Sequence, residues 1–254
     1  MNGGALATSF PKTAWPNEPA GLIVISDYGF DDPLPVGHSV PVGRSGWRIN
    51  NESNNATRVG DPTAPLSPIN VGQWKYPKGM KDGVGPATMY RPMNGREVYV
   101  GFWWKASRPF DPHPSGVNKI AFTWSKSNLL SYINMQGTSE PYSLTIHDAP
   151  LGNDQTLFPN VVTSRVMLGV WHRIELYQKY STTASSNDGI VRWWVDGVLN
   201  GSYTTLNFVQ DVGFSEFQFA PTYGGNAGAI KSEDDFYRFD HVHISSRAAA
   251  VQSR

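Results

Sequence analysis

Residues 171–207, WHRIELYQKYSTTASSNDGIVRWWVDGVLNGSYTTLN, decide the fold class. They read as three short antiparallel strands. The first opens at Trp171, and a polar loop carries the chain to Asn187-Asp188-Gly189. The second covers residues 190–195 and ends at Asp196-Gly197, and the third leaves through Val198. Asp-Gly between alternating apolar runs signals a two-residue hairpin, because both central residues of a type I′ turn need φ > 0. In the first two strands one face is apolar and the other is charged and aromatic. That suits a sheet whose second face meets a polar ligand.

The same reading extends outward. Strands are predicted at 97–106, 117–124, 130–136, 142–147, 170–179, 190–195, 202–208, 214–220 and 236–245, with an earlier one at 22–26. Residues 27–95 are rich in Gly, Pro, Asn and Ser, and read as long loops with short strands. No stretch longer than ten residues keeps a helical period. The predicted fold is all-β: a two-sheet antiparallel β-sandwich of the jelly-roll type. It divides into an irregular N-terminal arm (1–20) holding Pro11, Pro16 and Pro19, one domain (21–246) and a frayed tail (247–254). At 254 residues one such sandwich can bury a full core.

Composition narrows the function. The 21 basic and 21 acidic residues balance to a formal net charge of +0, which gives no bulk attraction to nucleic acid. No apolar run reaches the roughly 18 residues of a membrane span, so no membrane insertion is expected. There are no cysteines, which excludes disulfides and Cys-ligated zinc. The N-terminus shows no basic-then-apolar signal peptide.

Alternation sorts each strand into two faces. The apolar set is Val98, Val100, Phe102, Trp104, Ile120, Phe122, Trp124, Ile133, Met135, Leu144, Ile146, His172, Ile174, Leu176, Val191, Trp193, Val195, Phe217 and Phe219. The complementary set carries rings, amides and cations over seven strands, more than a solvated face needs. Rings stack on sugars, while amides and guanidinium groups bond hydroxyls and carboxylates. From that single face come the candidate site residues. Trp103, Tyr132, Asn134, Gln136, Lys179, Arg192, Trp194 and Gln218 are assigned to substrate. His147, Tyr177 and Arg173 are assigned to chemistry: His147 and Tyr177 carry protons, and Arg173 neutralises a carboxylate.

Longer motifs add a resemblance. REVYVGFWWKASRPF followed by GVNKIAFTW resembles the "YV-x-F-W-x-K-x-S … NK-I" segment of jelly-roll polysaccharide-active proteins. W-H-x-I-E-L, N-D-G-x-x-x-x-W-V-D-G, PTYGG and FYRFDHVHIS are similar to the second half of concanavalin-like polysaccharide lyases, alginate and glucuronan lyases among them. The resemblance covers residues 96–246 and implies the jelly roll. It also implies an extracellular protein acting on a uronate-containing polysaccharide by β-elimination. No catalytic residue transfers by motif, because R-x-E-x-R and Q-[IV]-H are absent. The E-x-D-x-x-E signature of related hydrolases is also absent. Retaining hydrolysis needs two carboxyls about 5–5.5 Å apart, so hydrolysis is disfavoured. Whether the chain is an enzyme stays open. A lectin-like module and a structural protein of a virion surface are the alternatives. The arm is then the element for homo-oligomer assembly. No cofactor is required. Asp31 and Asp240 stand where related jelly rolls hold a structural calcium, which remains an alternative. His241 and His243 alternate on one strand and read as packing residues.

Overall fold

The Asp196-Gly197 turn forms as read, with φ of 53° at Asp196 and 82° at Gly197. The computed structural model describes residues 15–67, 69–151, 155–183, 185–208 and 213–247. Its strands are β1 (Ile23–Tyr28), β2 (Val40–Val42), β3 (Trp47–Asn50), β4 (Ala56–Asp61), β5 (Ile69–Tyr76), β6 (Thr88–Gly95), β7 (Glu97–Ala106), β8 (Val117–Ser125) and β9 (Leu130–Gln136). They continue as β10 (Ser143–Asp148), β11 (Gln155–Leu157), β12 (His172–Lys179), β13 (Gly189–Val195), β14 (Val198–Leu206), β15 (Phe214–Phe219), β16 (Thr222–Tyr223) and β17 (Asp235–Ser246). The chain folds as a two-sheet antiparallel β-sandwich of the jelly-roll type. One sheet runs β14-β13-β12-β7-β17-β5-β4, with β1 paired to β17, and has eight strands. The other runs β11-β10-β9-β8-β15-β6-β3-β2, with β16 paired to β8, and has nine.

The core lies between the sheets, and alternation explains most of it. Val98, Val100, Phe102 and Trp104 of β7 face inward, as do Ile174, Leu176, Val191, Trp193, Phe217 and Phe219. Trp193 stacks on Tyr203 at 6.1 Å and lies so close to Gly201 that a Cβ there would sit 2.0 Å from its ring. The stretch 27–95 is more regular than its composition predicts. It holds β2 to β6, two of them eight residues long. Residues 202–208 begin too late as a strand, since β14 starts at Val198, straight after the turn.

One strand inverts. A β-bulge between Lys119 and Ala121 places Ile120 and Ala121 both in the core. Alternation then restarts one residue out of phase. Phe122 and Trp124, read as core, therefore face outward, and Thr123, read as outward, faces the core. Phe122 packs on outward-facing Tyr132 at 5.6 Å. Thr123 Oγ1 donates to Gln178 Oε1 of the opposite sheet at 2.8 Å, and Gln178 Nε2 donates to Asp148 Oδ2 at 3.2 Å. This buried polar layer ties β8, β12 and β10 across the core. Burial pushes the Asp148 carboxyl up to about 7.

Candidate functional site

The residues read as one polar face divide between two. Trp103, Arg173, Tyr177, Lys179, Arg192 and Trp194 stand on the outer face of the eight-stranded sheet. Tyr132, Asn134, Gln136, His147 and Gln218 stand on the outer face of the nine-stranded sheet. A sandwich turns these two faces away from each other, so no one ligand spans both. Period two separates inside from outside but carries no information on which sheet a strand joins.

The first face is covered from within the chain. Residues 15–22 lie across it as a strap. Trp15, 4% exposed, packs with Tyr99, Tyr177 and Trp194 in a second apolar cluster that Leu22, Leu66 and Trp103 border. Gly101 makes the seat, since a Cβ there would meet the Trp15 ring at 2.3 Å. Trp15 also stacks on His241 and His243, at 6.2 and 5.8 Å. Charges close the rest. Glu175, 0% exposed, accepts from Tyr99 Oη at 2.5 Å and from Asn17 Nδ2 at 3.1 Å, and it forms an ion pair with Arg173 across 2.9 Å. His243 Nε2 meets Glu18 at 3.2 Å. The partners of His243 push its pKa up, against the opposing effect of burial. The Asp27 carboxyl, held down at about 2 despite its burial, pairs with His241. Asp61, Lys105 and Arg238 form an ion-pair group on the same face.

Tyr177, assigned above to proton transfer, lies in that cluster, and its hydroxyl donates to Glu97 Oε1 at 2.8 Å. Burial and this carboxylate push its pKa up. Arg173 is engaged with Glu175, and Arg192 Nε donates to Ser202 at 3.2 Å. Trp194 is 9% exposed. The arm wraps its own domain from residue 15 onward; residues 1–14 and 248–254 lie outside the described residues.

The second face carries a row perpendicular to its strands. Arg48 pairs in register with Tyr90, Tyr90 with Gln218, Gln218 with Phe122, Phe122 with Tyr132, Tyr132 with His147, and His147 with Thr156. The seven strands at about 4.8 Å spacing make this row about 29 Å long. Tyr132 and His147 stack at 4.4 Å with 18° between their planes. Lys119 Nζ lies over the Tyr132 ring at 5.0 Å, and His147 Nδ1 is 3.3 Å from Thr156 Oγ1. Arg48 Nε donates to Ser39 Oγ at 3.0 Å, and that hydroxyl is 2.6 Å from Tyr90 Oη.

Asn134 is structural. Its Oδ1 accepts from the Asn118 backbone at 2.6 Å, and its Nδ2 donates to Gln136 at 2.7 Å and Thr145 at 3.2 Å. Gln136 accepts through Oε1, which leaves its amide hydrogens for other partners. Beside the row, Trp124, Asn128, Ser215, Glu216 and Gln218 line a shallow hollow of about 300 Å³. Arg48, Tyr90, Phe122 and Trp124 were missed as site residues. Arg48 and Tyr90 fell in the stretch read as loops, although Trp47-Arg48-Ile49-Asn50 alternates. The bulge hid the other two.

Among the described residues no three His, Asp or Glu side chains gather as a metal site. Asp240 is buried, and its carboxylate accepts the backbone N–H of Leu66 at 2.7 Å and of Ser67 at 3.1 Å. Burial raises its pKa. Asp31 is exposed in the turn after β1. Through its bonds to the Leu66 and Ser67 backbone, Asp240 anchors the 66–67 loop.

No protein-family model and no curated protein sequence matches the chain. The fold is similar to solved structures. The endo-β-1,4-glucuronan lyase of the fungus Trichoderma reesei aligns at TM-score 0.56 and 17% identity, over 83% of this chain and 93% of that one. The alginate lyase vAL-1 from Chlorella virus aligns at 0.56 and 16%, over 79% and 93%. The alginate lyase Aly36B, as a mutant in complex with an alginate trisaccharide, aligns at 0.57 and 12%, over 77% and 86%. These likenesses establish the jelly roll.

Proposed function

We propose that the outer face of the nine-stranded sheet binds an extended, uronate-containing polysaccharide along the row from Arg48 to His147, and cleaves it by β-elimination at Tyr132 and His147. The observation that carries this reading is the row itself. Aromatic rings, an amide, a guanidinium and an imidazole lie in register across adjacent strands, where a linear polymer could lie. The lyases that share the fold act, by their names, on alginate and glucuronan.

The chemistry follows from the residue types. A uronate C5–H is weakly acidic until its carboxylate is neutralised. Lys119 and the outward amide of Gln136 serve that purpose beside Tyr132. His147 takes the C5 proton. The C4–O bond then breaks, its electron pair stays on the leaving oxygen, and the Tyr132 hydroxyl supplies the proton that oxygen needs. Arg48 is four strands from Tyr132, about 19 Å at the usual spacing, and grips a remote carboxylate.

The test is incubation with glucuronan and with alginate, following the ultraviolet absorbance of the unsaturated product. Wild type is expected to generate it, and His147→Ala to lose it while keeping the circular dichroism of the fold. Polymer retardation in affinity electrophoresis without new absorbance would leave a binding module. Absence of both retardation and new absorbance would refute the reading.

A further inference from the structure

The hollow beside the row differs from the row in charge. Glu216 pairs in register with Trp124 on one side and Pro92 on the other, one row removed from Gln218 and Phe122. Glu216 brings the one formal charge that lines the hollow among the described residues, and it is negative. Gln218 donates its amide to the Glu216 carboxylate, which fixes that carboxylate at the hollow. Lys119 stands beyond the opposite side of the row, in register with Asn134 and Thr222. Across its width the face therefore runs from a cation, through uncharged rings, to a carboxylate.

A half-buried indole with a hydroxyl, two amides and a carboxylate has the groups that sugar recognition uses: a ring to stack and oxygens that accept from hydroxyl groups. The volume is at the low end for small-molecule sites, enough for one ring. A second carboxylate brought there would meet Glu216. Two like charges about 4 Å apart repel by about 1 kcal/mol in water and about 4 kcal/mol near a protein surface. A neutral pyranose meets no such penalty, and its hydroxyls donate to the same oxygens.

We propose that the Trp124 hollow is a subsite for a neutral sugar, with Glu216 as the residue that rejects a uronate there. The preferred glycan thus carries both uronate and neutral units and is not an unbroken polyuronate. This rests on the reading of the nine-stranded face as a glycan groove.

The test uses one oligoglucuronate in three forms: unreduced, with half its carboxyls reduced to hydroxymethyl groups, and fully reduced. Binding is followed by calorimetry. Wild type is expected to bind the half-reduced oligomer about tenfold more tightly than the unreduced one, the ratio that about 1.4 kcal/mol gives. Glu216→Gln should bring that ratio to about one by tightening the unreduced form, and Trp124→Phe should keep the wild-type order. Equal or tighter binding of the unreduced form by wild type overturns the subsite while leaving the groove standing. An unchanged ratio in Glu216→Gln overturns it equally. Failure of all three oligomers to bind overturns the groove and the subsite together.

Discussion

The two outer faces of this sandwich hold similar residues and put them to different uses. On the eight-stranded sheet, Tyr99, Tyr177, Trp103 and Trp194 pack together with the strap at residues 15–22, and Glu175 is bonded to that strap and paired with Arg173. On the nine-stranded sheet, half-buried Arg48, Tyr90, Gln218, Tyr132 and His147 form a row through buried Phe122, with a hollow beside it. A face rich in rings and charges is therefore not by itself a binding face. What distinguishes the two is whether the chain has already filled the face. Glu175 is already bonded to Asn17 and Tyr99 and paired with Arg173, so the buried carboxylate of that surface is engaged before any ligand arrives.

Substitutions that read burial should sharpen the contrast most. Trp193→Ala, in the core, is expected to cost about 3–5 kcal/mol in a denaturant titration. Trp194→Ala should come close to it, because the strap buries that ring. Trp124→Ala, on the other face, should cost well under half as much. Equal losses for Trp124 and Trp194 would break the distinction between the faces.

The polar layer beneath the row gives a pH signature. Asp148 holds its proton in the folded state to about pH 7, against 3.8 for the ordinary side chain. Between those values the folded chain binds a proton that the unfolded chain has released, so stability falls as pH rises through that window. At 1.36 kcal/mol per unit this amounts to at most about 4 kcal/mol. Asp148→Asn should remove the penalty, raising the melting temperature at pH 8 and leaving it nearly unchanged at pH 4. An equal gain at both pH values would contradict the assignment. Asp27 has the opposite sign: its pKa of about 2 gives stability above pH 3.8 that is lost as pH falls toward 2.

Trp15→Ala should cost about 3 kcal/mol, at the lower end for a buried aromatic. It should speed amide exchange in β7 and β12 and leave glycan binding intact. Loss of binding would mean that the strap serves the other face. Smallest is Gly197→Ala, about 1–2 kcal/mol, since φ at Gly197 is 82° and a Cβ there would sit 2.7 Å from Arg173 Nη2. No measurable cost would show that the turn relaxes to another type.

The limits of the sequence lie in particular residues. The type I′ turn at Asp196-Gly197 and the inward faces of β7, β12 and β13 were legible, because φ > 0 and period two are local properties. The division of the polar set was not, because sheet membership depends on pairings between distant strands: β12 joins β7, and β8 joins β15. The bulge at Lys119 was hidden, since Asn-Lys-Ile-Ala-Phe-Thr-Trp reads as unbroken alternation from Ile120. Of the residues proposed from sequence, Tyr132, Asn134, Gln136, His147 and Gln218 share the outer face of the nine-stranded sheet. The strap was invisible in sequence because its anchor, the fit of Trp15 over Gly101, joins residues 86 positions apart.

The central claim is which face takes the glycan, and a hydrogen-exchange footprint tests it most directly. With a saturating half-reduced oligoglucuronate, slower exchange is expected at 118–124, 130–136, 144–148 and 215–219, with no change at 173–179 or 190–195. Protection confined to 173–179 and 190–195 would contradict the account and move the site beneath the strap.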